Sequence, residues 1–177
     1  MYLVQGSLLM GGAGYVFINF EQAAGFGHVG WGFQLDENEF CFGSTDHLWN
    51  RKFPEWHLVE LYRYMNVQPQ KNNDFWAETG SKTQMLSVMG SGHHIRYHAY
   101  KSIAVEKAKP QEASCFAQSL ADNGWNVMSN NCVHQVYSVL TAYGGNMKMP
   151  GPDFGLNRIP KVWFEGIEAE SFSLSKS

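Results

Sequence analysis

Cys132 follows the polar run Ser129-Asn130-Asn131 and opens "CVHQVYSVL", where apolar residues recur at helical spacing. A thiol placed there lies in the first turn of a helix, where N–H groups lack intrahelical partners and the macrodipole is positive. A thiolate in that position is stabilised and serves as a nucleophile near neutral pH. The same N–H groups can hold a developing oxyanion, and Asn130 or Asn131 can cap the helix and set where the sulfur stands. This is the equipment of covalent catalysis by cysteine, provided a base is within reach. The other two thiols read differently. Cys41, between Phe40 and Phe42 in a strand, and Cys115, in mid-helix, are expected as small buried apolar side chains.

The base must be found among seven histidines. His134 is nearest in sequence, but two positions along a helix it points roughly 200° away from Cys132. His93 and His94 stand beside Gly92 in a turn, His98 alternates outward on an extended segment, and His57 has no polar constellation around it. His28 is set apart by "GFGHVGWGF". Glycine inside a strand is costly unless something must approach closely. Gly25, Gly27, Gly30 and Gly32 therefore suggest room for a helix start or a substrate.

A catalytic histidine needs an orienting partner on its second nitrogen. Gln34 shares a face with His28 but lies six residues along, about 20 Å away. The returning strand is a better source. If Glu37-Asn38 centres the turn, Leu35 faces Phe40 and His28 faces His47; a shift of one or two brings Asp46 or Thr45 there instead. Asp46 is preferred, because a carboxylate holds an imidazolium by charge. Glu39 lies too near the turn.

The elements that must position these groups can be read from pattern. Residues 14–20 and 27–35 are strands, "DENE" (36–39) is a turn, and 40–45 returns as a third strand. Residues 57–65 fit a strand or a short helix. Residues 66–92 read as a polar excursion over the surface with a short helix in "DFWAETGSKTQML". Residues 94–106 are extended. Pro110 opens a helix that Asn123-Gly124 stops, "WNVM" (125–128) is an extended link, and a second helix runs from Cys132 to Tyr143, ended by Gly144-Gly145. "VWFEGI" (162–167) docks on the body and "SFSLSKS" frays.

Bulk composition bounds the rest. The chain of 177 residues, 44% apolar, suits one domain spanning 1–177 with a sizeable core. A net charge of −3 offers no surplus to neutralise a phosphate backbone, which argues against nucleic acid; Lys107 and Lys109 read as solvated charges. Three widely spaced cysteines make no disulfide framework and no CxxC pair, so a reducing, cytoplasmic setting is expected. The start "MYLVQGSLLMGGAGYVF" has no Lys or Arg before its apolar run and reads as strand and turn rather than a signal peptide. No apolar run of about 20 residues is present to span a bilayer. Metal binding by Cys132, His134 and the 93–98 stretch lacks ligand spacing, and no cofactor is called for.

"GHVGWGF" followed by "NNCVHQVYSVLTAYG" resembles a permuted papain-like domain of the NlpC-like superfamily. There the strand histidine precedes the cysteine helix, in the order of lecithin:retinol acyltransferase-like proteins, which carry an "NC" pair at the helix start. Asn131-Cys132 and His28 are the matching positions, over about 26–47 and 110–145. The resemblance implies an α+β fold, with an antiparallel sheet and helices packed on one side. It implies a thioester-type intermediate on an amide or ester carbonyl, with His28 moving the proton. A second polar residue, expected on the strand after His28, has no clear match; its place falls between Phe40 and Asp46. The readings that follow are a cysteine peptidase or amidase on a peptide-like substrate, an acyltransferase or lipid thioesterase on an acyl substrate, and a module that only binds.

Overall fold

A computed structural model describes residues 11–46, 66–67, 74–92, 96–145 and 148–175. The expectations for His47, His57, His93 and His94 and for residues 57–65 lie outside them. In chain order the elements are β1 (Gly12–Asn19), β2 (His28–Gln34), β3 (Phe40–Thr45), β4 (Asn66–Val67), β5 (Phe75–Gly80), α1 (Lys82–Ser91), β6 (Ala99–Val105), α2 (Pro110–Ser119), β7 (Trp125–Asn126), α3 (Cys132–Tyr143), α4 (Pro160–Glu165) and β8 (Ser171–Ser173). Six strands form one sheet in the order β5-β3-β2-β1-β6-β8, with every neighbouring pair antiparallel. β4 and β7 pair separately. No described helix is long and apolar enough to cross a membrane.

The hairpin between β2 and β3 carries the positioning problem. Asp36 Oδ1 accepts from the N–H groups of Asn38 (2.8 Å) and Glu39 (2.9 Å), an Asx turn that closes an odd-numbered loop. Gln34, not Leu35, therefore faces Phe40, and the ladder continues to Trp31 opposite Gly43. Carried to the end of β2, this register sets His28 opposite Asp46 rather than His47. A turn centred on Glu37-Asn38 is off by one residue, and one residue decides which side chain faces the imidazole.

Both sheet faces are covered, against the expectation of helices on one side only. On one face Val16, Ile18, Val29, Trp31 and Phe33 pack with Val133, Val136 and Leu140 of α3 and with Trp163 of α4. On the other, Tyr15, Phe17 and Phe42 pack with Met85 and Met89 of α1. The second layer comes from the stretch taken as a surface excursion. Ser81 opens α1 with a capping box, accepting from Gln84 N–H while the Gln84 side chain accepts from Ser81 N–H. The strand β5 ahead of it was missed because its residues do not alternate cleanly between apolar and polar.

The glycines of β2 also take on a different role. A Cβ at Gly30 would sit 2.8 Å from the Tyr97 hydroxyl and 2.9 Å from Met89 Cε, and one at Gly32 would sit 2.8 Å from Met85 Sδ. The space admits side chains of α1 and Tyr97, not a helix start or a substrate. Gly27 instead serves the chain path into β2, with φ at +92°. Within "SFSLSKS", Ser171–Ser173 does not fray but pairs with β6, and Phe172 stacks on Tyr100 at 5.3 Å. Cys115 is exposed on α2 rather than buried, and Cys41 is half-buried.

Gly43 is the tightest point of the sheet. A Cβ there would overlap the Trp76 carbonyl oxygen and lie 2.9 Å from Trp31 Cζ2. The obstacle is ladder backbone rather than a mobile side-chain end, so Gly43→Ala is expected to destabilise by about 3 kcal/mol. Urea unfolding of variant and parent measures this, and a loss below about 1 kcal/mol would show that β3 and β5 separate easily.

Candidate active site

Asn131 is the N-cap of α3, in extended conformation. Its Oδ1 accepts from the N–H groups of Val133 (3.0 Å) and His134 (3.3 Å) and faces His134 Nδ1 at 2.9 Å. Its Nδ2 donates to the carbonyls of Val127 and Arg158, both at 3.1 Å. The buried amide is thus committed on every side, which locks the first turn in place. Two of the three leading N–H groups are consumed by the cap. Among the described residues, no acceptor takes the third, the N–H of Cys132. Cys132 itself is 6% exposed.

His28 begins β2 and pairs with Asn19, the last residue of β1, so its ring lies at the end of the sheet, where the start of α3 meets it. The ring is buried, and Cys132 is among the groups that act on it. Its Nε2 is 2.9 Å from Ser44 Oγ and 3.3 Å from Asp46 Oδ1. Ser44 is the closer partner. Asp46 Oδ1 stands at ion-pair range, and among the described residues no other donor reaches it. Burial pulls the imidazolium down. The charge of a Cys132 thiolate, the hydrogen bond to Asp46, the hydrogen bond to Cys132 and the Asp46 charge outweigh it, and the ring is pushed up to about 10.

The structure therefore brings together Cys132, His28 and Asp46, the three residues singled out from the sequence. Thr45 alternates to the opposite sheet face, where it pairs with Phe75. His134 is engaged elsewhere: its Nε2 lies 3.3 Å from Asp153 Oδ1, which also meets Arg158 at 3.3 Å. Cys41 is pushed up to about 11, chiefly by burial and further by Glu39.

Three neighbours went unnamed by sequence reasoning. Ser44 shares a strand face with Asp46, so the alternation that favoured one pointed to both. Tyr97 is fully buried, with its ring 6.0 Å from that of His28. Burial, and next the charge of Asp46, push its phenol well up, with Ser44 beside the hydroxyl working the other way. It stays protonated and forms the floor of the site. Trp76 Nε1 donates to Asp46 Oδ2 at 2.7 Å. Trp76 lies thirty residues from Asp46, and no local signal in the sequence links them.

Among the described residues, no three His, Cys, Asp or Glu side chains converge as metal ligands would. Compared with protein-family models, with curated proteins and with solved structures, the chain gives no match.

Proposed function

We propose that the protein is a thiol-dependent hydrolase of amide bonds, a cysteine peptidase or amidase built on a permuted papain-like fold of the NlpC-like superfamily and working in a reducing, cytoplasmic setting. The observation that carries this reading is the buried His28 ring held between Ser44 and Asp46, with Cys132 at the start of α3 acting on it. Nε2 is directed at Ser44 and Asp46, so Nδ1 is the nitrogen that trades a proton with sulfur. Cys132 Sγ attacks the carbonyl carbon. The N–H of Cys132 receives the oxyanion at the positive end of α3. His28 passes its proton to the leaving amine, the C–N bond breaks and a thioester remains. Water then attacks the thioester carbonyl as His28 takes its proton. The acid departs with its C–S bond broken, and His28 is left carrying the proton with which the next cycle begins. Asp46 holds the ring in one tautomer throughout.

A second reading uses the same groups on an acyl ester or thioester. It is favoured by exposed apolar side chains on the segments leading into and beside the site. These are Phe26 before His28, Met128 before Cys132, and Phe154 and Leu156 in the loop tied to Asn131 and His134.

Panels of fluorogenic peptides, isopeptides and acyl thioesters test both. Turnover of amides with a thioester trapped on Cys132, visible as a mass increment in the intact protein, is the expected result. Acyl transfer from thioesters alone would select the second reading. Binding with no adduct on Cys132 from any donor would leave a module that only binds.

A further inference from the structure

We propose that Trp76 is a positioning residue for this site, its indole N–H fixing the carboxylate of Asp46 so that the other oxygen meets His28. The inference rests on the catalytic reading of Cys132, His28 and Asp46. β3 ends at Thr45, so Asp46 lies one residue past the last strand position, where the ladder alone does not define a side-chain torsion. Two contacts hold it there. Its backbone N–H donates to Asp74 O at 2.9 Å, and its Oδ2 accepts from Trp76 Nε1 at 2.7 Å. Of these two, the second acts on the carboxylate, whose other oxygen meets His28 at 3.3 Å.

The donor is well held. Trp76 faces Ser44 across β3–β5, on the sheet face that carries Ser44 and Asp46. Its ring meets Phe42 edge-on at 6.3 Å and 81°, and Phe42 is buried. An indole N–H is neutral and cannot take the carboxylate's charge, as an arginine or lysine would. It fixes direction and leaves the full negative charge facing the imidazole. Among the described residues, the groups facing the His28 ring include Cys132 from α3, Ser44 from β3, Asp46 just past it, and Tyr97 ahead of β6. Trp76 acts on the carboxylate of Asp46 through Nε1.

The test is a titration of the His28 ring by 15N NMR in the parent, Trp76→Phe, Asp46→Asn and the double variant. Trp76→Phe removes the donor while leaving an aromatic ring at the position, at the cost of some ring volume. It is expected to move the His28 midpoint down by about half a unit to a unit, in the direction of Asp46→Asn, and to slow alkylation of Cys132 at pH 6 about threefold to tenfold. In the Asp46→Asn background, the same change should add nothing, because the residue it acts through is gone. If Trp76→Phe fails to fold, benzothienylalanine at position 76 replaces the N–H by sulfur in the same shape. A His28 midpoint indifferent to Trp76, or effects that add in the double variant, would overturn the inference. Those results leave the hydrolase reading standing. Failure to form any acyl-enzyme sinks the hydrolase reading alone, and the coupling of Trp76 to His28 remains measurable without a substrate.

Discussion

Iodoacetamide at pH 6 is expected to modify Cys132 and to spare Cys41 and Cys115. Only the thiolate reacts, and an ordinary thiol at that pH is ionised to well under about 1%. Cys132 stands at the capped start of α3 with the protonated His28 ring acting beside it, the pairing that the proposed dyad needs. Cys41 is slow for the opposite reason: it is pushed up to about 11 by burial and by Glu39. Cys115 is exposed and will compete once the pH is high enough to ionise any accessible thiol. His28→Ala removes the cation and should cost Cys132 about 10²-fold in rate at pH 6, erasing the selectivity. Turnover of any substrate should fall further, by about 10⁴-fold or more, in Cys132→Ala. Peptide mapping of the alkylated protein decides the matter. Labelling of Cys115 ahead of Cys132 at pH 6, or a rate unchanged in His28→Ala, would end the dyad.

The second large effect belongs to the imidazole itself. The His28 ring is expected to hold its proton until about pH 10, against 6.5 for an ordinary histidine. The sign follows from the balance of causes. Burial alone pulls the ring down, and the positive shift comes from Cys132 and Asp46. Cys132→Ser takes away the thiolate charge, leaving burial opposed by Asp46, and the midpoint should drop by roughly two units or more. Asp46→Asn removes the carboxylate charge and weakens the hydrogen bond, so it should lower the midpoint by less. Turnover should accordingly keep its acid, the imidazolium, until the pH passes through about 10, and fall above it. Ring 15N shifts followed from pH 5 to 11 show this directly. A ring that titrates near 6.5 and ignores Cys132→Ser would place the sulfur and the imidazole out of contact.

The ease with which these elements could be read differed along the chain. α3 was legible from end to end, because its start, stripe and stop are local signals: Asn131 as cap, Val133, Val136 and Leu140 as the buried face, and Gly144 in the left-handed region at its end. The strands β1, β2 and β3 were legible for a similar reason, each a short β-branched and aromatic run bounded by turn residues. β5 and α1 were not. β5 gains its identity by pairing with β3, and α1 by offering Met85 and Met89 to a sheet face whose need for cover cannot be seen until the sheet exists. Cys115 differs from expectation although its helix was clear: Ala113, Ala117 and Leu120 form the buried side, and Cys115 lies off that stripe and is exposed.

What the chain's own order of residues determined is a nucleophile at a helix start, an imidazole in a glycine-rich strand and a short list of partners in "GSTDH". These follow from hydrogen bonds and torsions within a few residues of one another. Tertiary structure alone decided that Asp46 is the residue behind His28, since a single Asx turn at Asp36 sets the register of the whole hairpin. It alone decided that Ser44, Tyr97 and Trp76 complete the surroundings of the ring. Those contacts join strands whose separation along the chain carries no trace of their distance in space, because pairing energy is shared over a ladder and cannot be assigned to any local stretch.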